Sequence, residues 1–429
     1  MLNFKDKSLN SPTFCIMPFS HITTKTTGEI KLCCRSHPLY NVNEKSLLEV
    51  WNSEKIKRIR KQMLSGERPP ECEICYSLED KNITSMRQRQ NKMKFNRETY
   101  IGIMDELNDD YSMPNKIRSI ELKLNNLCNL KCRMCHPVDS TKWAEDWSLV
   151  AELQRHNEWT YKNVKKYNLT EHPYLCEWEN HPTFFDELNE IIETVDTIWF
   201  AGGEPLIDPM HYKFLNMIKD KGKTITLQYA TNLTKLSCKD ESIIDLWKSF
   251  KKILVAVSFD GVADVYEYIR TNANFNEVVD NIKTIQNKIE KESMNIILLG
   301  GCTFQAYNIF NLPDMFNFLI DNNIWIHTHR VSFPRFLSCQ VLPKELKEVA
   351  SKNIQSFLDN FIKRKKELET DVYKNTISHT TDVLNFLNAY DLSREWPNFL
   401  EYSRILDKAT YSKPLEEVIP EIGRYLNDK

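Results

Sequence analysis

Six strand-like segments, starting near residues 119, 197, 224, 252, 295 and 324, alternate with helical sequence, and this alternation constrains the fold more than any other feature. Strands separated by helices cannot pair as hairpins. They pair in parallel through right-handed crossovers, which makes an α/β domain whose working loops lie at the carboxyl ends of its strands. The segments run Ser119 to Asn126, Thr197 to Phe200, Thr224 to Asn232, Lys252 to Asp260, Asn295 to Phe304 and Ile324 to Ser332. Helical sequence separates them at Tyr212 to Lys221, Glu277 to Lys291 and Leu312 to Asp321.

Cys128, Cys132 and Cys135 follow the first of these strands in the run CNLKCRMC. Structural zinc sites use four protein ligands, so three thiolates leave one corner of a metal centre open to a substrate or cofactor. The alternative is a zinc site completed by His136 or by a distant cysteine.

CNLKCRMC after a strand resembles the cluster loop of the radical S-adenosylmethionine (SAM) superfamily. The resemblance implies a [4Fe-4S] cluster held by Cys128, Cys132 and Cys135, with its fourth iron chelated by the amino and carboxylate groups of SAM. It implies reductive cleavage of SAM to a 5'-deoxyadenosyl radical that abstracts a substrate hydrogen. The fold it implies is a partial (β/α)6 TIM-like barrel, and six units are present. The residue before the third cysteine is usually aromatic in the family; here it is Met134, whose thioether can pack against adenine. Further segments match in order. Gly202-Gly203-Glu204-Pro205 corresponds to the family's segment for the SAM amino group, and Asn232 to a strand-end residue near the ligand. Ser258 and Arg270, with Asp260 between them, correspond to contacts to the ribose and carboxylate, and Val331 to backbone contacts with adenine. Taken alone, GGEP reads as a strand end and Arg270 as a surface ion pair with Glu267 or Glu277.

A second set of cysteines precedes the barrel. Cys15 is followed by twelve residues, Gly28, four residues and Cys33; Cys34 adjoins it, and Cys72-Glu-Ile-Cys75 comes about forty residues later. This element resembles the SPASM and twitch auxiliary-cluster domains, in which the glycine permits a hairpin that brings cysteines to one centre. The resemblance implies an auxiliary [4Fe-4S] cluster on Cys15, Cys33, Cys72 and Cys75, with Cys34 as substitute ligand. A cluster with four protein ligands suits electron relay. In related proteins the domain follows the barrel, so its docking is open here. A four-cysteine zinc ribbon is the alternative.

These readings divide the chain into an auxiliary-cluster domain at 1–80, a linker at 81–116, the barrel at 117–340 with an insertion at 136–195, and a helical C-terminal extension at 341–429. The insertion carries Trp143, Trp147, Trp159, Tyr161, Tyr167, Tyr174, Trp178, Phe184 and Phe185, as either an outer helical pair or a cover for the barrel mouth. Lys81 to Arg97 holds Lys81, Arg87, Arg89, Lys92, Lys94 and Arg97 and reads as a solvated linker helix or a contact surface for an acidic partner. The extension reads as amphipathic helices, with a charged run from Lys363 and an element around Trp396 to Tyr402. Twelve cysteines reserved largely for metal centres point to a reducing, cytoplasmic setting. Met1 to Asn10 is polar, no apolar run is long enough to span a membrane, and a net charge of −2 gives no general affinity for nucleic acid.

The first expectation for the substrate is a peptide or protein; the alternatives are dehydrogenation of a small alcohol or aminosugar, and a non-catalytic iron-sulfur or zinc-binding interaction protein. An electron donor such as flavodoxin or ferredoxin is implied. No catalytic acid or base is assigned. His327, His329, Tyr307 and Cys302 lie near strand ends, and Cys302 and Cys339 are candidate hydrogen donors.

Overall fold

The computed structural model describes residues 11–81, 83–93, 100, 102–154, 158–172, 183–331, 334–364 and 371–428. Nine strands among them form one sheet: β1 (His21–Thr24), β2 (Glu29–Lys31), β3 (Tyr40–Asn41), β4 (Ser119–Leu122), β5 (Thr197–Phe200), β6 (Thr226–Thr231), β7 (Lys252–Ser258), β8 (Ile296–Phe304) and β9 (Trp325–Arg330). Their spatial order is β9-β8-β7-β6-β5-β4-β1-β2-β3. The strands β4 to β9 are the six expected units and pair in parallel throughout, giving the α/β partial barrel. Helices Pro209–Ile218, Phe275–Glu292 and Leu312–Asp321 fill the crossovers. Asp208 and Asn274 cap the first two through Met210 N and Glu277 N.

The first strand ends four residues earlier than its alternation suggests. Lys123 N donates to Thr24 Oγ1 at 3.2 Å, Leu127 N to Asn125 Oδ1 at 2.9 Å, and Asn126 Nδ2 to Pro137 O at 2.7 Å. Local bonds from asparagine side chains compete with the ladder and turn the chain into the cysteine loop.

Alternation along β7 and β8 separates two faces. Buried positions such as Val255, Val257, Cys302 and Phe304 point outward to the helices, and a Cβ on Gly300 would lie 2.5 Å from Leu319. Half-buried positions point inward, and Ser258, Gly301 and His327 share one row across the sheet, with Thr303 and the exposed His329 in the next.

The sheet does not stop at β4. β1 adds in parallel, with His21 opposite Ser119 and Thr23 opposite Glu121, and continues into the antiparallel β2 and β3. The N-terminal module is thus built into the barrel sheet, which answers the docking question its position raised. Gly28 makes the hairpin turn with φ +75°, and a Cβ there would lie 2.9 Å from Val42 Cγ2.

The basic segment forms a helix, Met86–Lys92, with a capping box from Ser85 and Gln88. It is not a wholly solvated face, because Arg87 is buried, pairs with Glu79 and donates to Phe14 O at 2.6 Å. Lys94 and Arg97 lie outside the described residues. The insertion contributes helices Trp147–Gln154, Glu158–Lys166 and Phe184–Ile191, with Trp143, Trp147 and Phe184 buried. Tyr174, Trp178 and the side chain of Trp159 lie outside the described residues, as does most of the run from Lys363. The extension supplies helices Lys344–Arg364, Asp371–Ala389 and Trp396–Ala409. No helix among the described residues is long and apolar enough to cross a membrane.

Candidate iron-sulfur and SAM site

The cysteine loop is held by a short antiparallel ribbon. Lys131–Cys132 pairs with Arg270–Thr271, Cys132 facing Arg270, and Arg133 N donates to Ile269 O at 2.9 Å. This pairing brings Arg270 to the thiols from a position 138 residues away. Burial pushes the Cys128 thiol up to about 12, with Cys132 and Glu204 adding to the rise. The Cys135 thiol hydrogen-bonds the Cys132 sulfur, which lowers Cys132 and raises Cys135. Arg270 Nη1 donates to Cys132 Sγ at 3.6 Å. Leu130, Met134 and Ala273 pack around the three cysteines.

His136 does not complete this set. Its Nδ1 lies 3.3 Å from Asp139 Oδ2, and its charged neighbours are Asp139 and Lys25 rather than a thiol. Among the described residues no three His, Cys, Asp or Glu side chains close around a single metal ion.

The Gly-Gly-Glu-Pro turn packs on the same loop. Glu204 N donates to Leu127 O at 2.7 Å, and a Cβ on Gly203 (φ +27°) would stand 2.4 Å from that carbonyl oxygen. The glycine is needed for approach to the chain's own cysteine loop. Gly203→Ala is therefore expected to displace the loop and to lower iron incorporation at the three cysteines severalfold, read as iron per chain. The Glu204 carboxylate accepts from Thr231 Oγ1 at 2.6 Å, Asn232 N at 2.6 Å and Leu206 N at 3.0 Å. Burial pushes its pKa up while these donors oppose the rise. A carboxylate offers about four lone-pair sites, so one acceptor position is left for an ammonium group. Pro205 starts the short 3-10 turn that Glu204 caps.

Arg270 is not the surface ion pair that its neighbours in sequence suggested. It is 9 % exposed, and its Nη2 lies 2.6 Å from Asp260 Oδ2. Glu277 instead meets Lys235, and Glu267 accepts from Phe275 N. Asp260 is fully buried and also accepts from Thr303 N at 2.7 Å, so it positions Arg270 from behind. Arg270 Nε is buried without a hydrogen-bond partner among the described residues, a donor suited to a carboxylate. Asn232 donates to Asn129 Oδ1 at 3.0 Å and reaches Cys128 Sγ at 4.0 Å. Ser258 ends β7 on the inner face, and Val331 follows β9 with its N–H bonded to Phe304 O at 3.3 Å. Three thiols, a spare acceptor on Glu204 and a spare donor on Arg270 suit a [4Fe-4S] cluster and the amino-acid end of SAM.

Arg133, inside the cysteine run, is a residue that the sequence reading passed over. It is fully buried, stacks on Tyr268 with its guanidinium carbon 3.5 Å from the ring centre, donates to Tyr268 O at 2.7 Å and pairs with Asp407 at 2.6 Å. Tyr402 OH donates to Arg133 O at 2.8 Å. The C-terminal helix Trp396–Ala409 thereby clamps the cysteine loop. A fixed charge inside a cysteine motif was the available signal.

The N-terminal cysteines gather in a second place. His37 N donates to Glu71 O at 2.9 Å and Tyr76 OH to Thr13 O at 2.7 Å, drawing the segments of Cys33, Cys72 and Cys15 together. Burial raises the Cys15 thiol to about 12, with Cys75 contributing. Cys33 and Cys72 are also raised, chiefly by burial, and Cys72 feels Cys15, Cys33 and Cys75. Cys34 bears on the neighbouring Cys33, while its own Sγ lies 3.4 Å from Met86 Sδ. Cys75→Ser is expected to remove the iron of this site and Cys34→Ser to retain it, measured as iron per chain.

The remaining candidates separate by face. Cys302 is fully buried on the outward side of β8, so strand parity removes it from the inner face; Cys339 is also fully buried. Tyr307 is in the core, bonded to Ser403 Oγ at 2.9 Å. His327 and His329 lie on the inward row.

Comparison with known proteins agrees with this geometry. The radical SAM superfamily model matches residues 122–310, and the model of the SPASM iron-sulfur cluster-binding domain matches residues 15–76. The chain carries a radical SAM domain with a SPASM module ahead of it. Its cofactors are SAM and a [4Fe-4S] cluster, with an auxiliary iron-sulfur cluster for the SPASM module. No curated protein matches the sequence. Among solved structures, polyhistidine-tagged anSMEcpe with bound AdoMet is 14% identical with a TM-score of 0.33, over 57% of this chain and 61% of that one. Native anSMEcpe with bound AdoMet and Cp18Cys peptide is 13% identical with a TM-score of 0.34, over 68% and 99%. SuiB of Streptococcus suis bound to S-adenosylmethionine is 14% identical with a TM-score of 0.34, over 73% and 62%. The chain thus spans about six tenths of the length of the first of these structures.

Proposed function

We propose that this protein is a radical SAM enzyme that abstracts a hydrogen from a peptide or protein substrate. With SAM and a reduced cluster bound, the site would supply a 5'-deoxyadenosyl radical, and an auxiliary cluster held by the N-terminal cysteines would accept an electron from the substrate radical as it loses a proton. Cys128, Cys132 and Cys135 hold the first cluster, and Cys15, Cys33, Cys72 and Cys75 hold the second. Glu204 receives the ammonium of SAM, and Arg270, oriented by Asp260, receives its carboxylate. Gly202, Gly203 and Pro205 shape the turn; Met134, Asn232, Ser258 and Val331 line the nucleoside. A flavodoxin or ferredoxin is the proposed electron donor.

The observation that carries the reading is the convergence of three thiols with the buried Arg270 beside Cys132. The peptide assignment follows from the resemblance of the N-terminal module to auxiliary-cluster domains, whose radical SAM enzymes most often modify a peptide or protein. The test is 5'-deoxyadenosine production from SAM and dithionite by anaerobically reconstituted protein. Formation of deoxyadenosine supports the reading; none at full iron loading favours a non-catalytic iron-sulfur protein.

A further inference from the structure

Three lysines meet between the cysteine loop and the N-terminal cysteines. Lys25 follows β1, Lys31 closes β2 and Lys123 follows β4. Thr23 has Lys31 opposite it on one neighbouring strand and Glu121 on the other, so these side chains share the inner face of the sheet. Lys123 Nζ lies 3.4 Å from Glu121 Oε1, and Lys31 Nζ donates to Cys34 O at 3.4 Å. Lys31 is buried, while the Lys123 and Glu121 side chains are only 16% and 11% exposed.

Glu121 is the one carboxylate in ion-pair contact with any of the three lysines among the described residues. Asp139 bears on Lys25 and Lys123, and Glu29 on Lys31, but neither carboxylate reaches the lysines in an ion pair among the described residues. Lys123, then burial, pulls the Lys25 pKa down to about 8, the mark of two ammonium groups held close together. Burial is the largest effect on Lys123 and lowers it, but Glu121, Cys34, Asp139 and Lys25 together outweigh it, and its pKa stays raised. Like charges this close in a partly desolvated site repel unless an anion sits among them.

The position ties the lysines to the chemistry. A Cβ on Gly202 would lie 2.7 Å from Lys123 Cβ, so the lysine stem packs on the Gly-Gly-Glu-Pro turn. On the other side, Cys34 experiences the charges of Glu121, Lys123, Arg35 and Lys25. Lys123 thus touches the turn that follows β5, and Lys31 touches the N-terminal cysteine segment.

We propose that Lys25, Lys31 and Lys123 form an oxyanion pocket that holds a carboxylate or phosphate of the substrate between the two iron-sulfur sites. The assignment rests on the radical SAM reading and deepens it. Glu121 is the internal counter-charge with which that anion competes.

The test is isothermal titration calorimetry on full-length protein reconstituted with both clusters, using inorganic phosphate and, separately, glutarate in low-chloride buffer. Saturable binding of at least one is expected, with Lys123→Gln weakening it by about tenfold, the effect of losing one charged hydrogen bond. Glu121→Gln is expected to tighten it, because it removes the competing carboxylate. The opposite signs separate charge from damage to the fold. Tighter phosphate binding assigns a phosphorylated substrate, and tighter glutarate binding assigns a carboxylate such as an acidic side chain. The proposal is overturned if neither anion binds saturably, if Lys123→Gln binds like wild type, or if both variants lose binding together. Iron content and deoxyadenosine formation are read on the same preparation: anion binding without deoxyadenosine contradicts the radical SAM reading and leaves the pocket standing.

Discussion

Cys132→Ala is expected to yield protein that keeps about half its iron and makes no 5'-deoxyadenosine from SAM and dithionite. Cys132 is the centre of the site. Its sulfur is bonded by Cys135 and by Arg270, and its backbone is paired with Arg270. Loss of this thiolate leaves two of three ligands and opens a second corner of the cluster. Retention of wild-type deoxyadenosine formation in the variant would show that the loop is not the site of SAM cleavage.

Arg133→Ala carries the second large effect, and it acts on the fold as well as the site. The variant leaves Asp407, 11% exposed in the pair, without the guanidinium. It also removes the donor to Tyr268 O and the stack on the Tyr268 ring. Breaking a buried pair by deleting one partner costs about 3–5 kcal/mol. Thermal unfolding followed by circular dichroism should therefore show a midpoint lowered by several degrees. Iron incorporation at Cys128, Cys132 and Cys135 should fall with it, because the clamp on the loop is gone. Replacing the pair together, Arg133→Met with Asp407→Leu, should recover much of the midpoint, since no charge is then left buried alone. An Arg133→Ala protein that melts with wild type would contradict the clamp.

The contrast between the two residues shows what could be read in advance. Cys132 was legible because ligand chemistry restricts residue type and spacing together. Arg133 offers only its charge inside the cysteine motif, and its role depends on Tyr268 and Asp407, which the fold brings from far along the chain. Arg270 shows the same limit: its neighbours in sequence offered Glu267 and Glu277, yet the ribbon with Cys132 turns it inward to Asp260. The six strands were legible from their apolar alternation. Their ends were not, where asparagine bonds such as Asn125 to Leu127 end the ladder.

Face assignment was available in the sequence but needs one anchor. Once Gly300 is seen against Leu319, parity sends Cys302 outward and Gly301 and Thr303 inward. The joining of β1 to β4 was not available. Parallel pairing of segments such as His21 and Ser119, 98 residues apart, leaves no local pattern. Each of Lys25, Lys31 and Lys123 reads singly as an ordinary surface lysine, and only that strand pairing gathers them.

The most direct test of the account is iron and acid-labile sulfide per chain in anaerobically reconstituted wild type, Cys132→Ala and Cys75→Ser. Two [4Fe-4S] sites require about eight irons in wild type and about four in each variant. About four irons with one zinc in wild type, and the zinc lost in Cys75→Ser, would make the N-terminal module a structural zinc site and contradict the two-cluster enzyme.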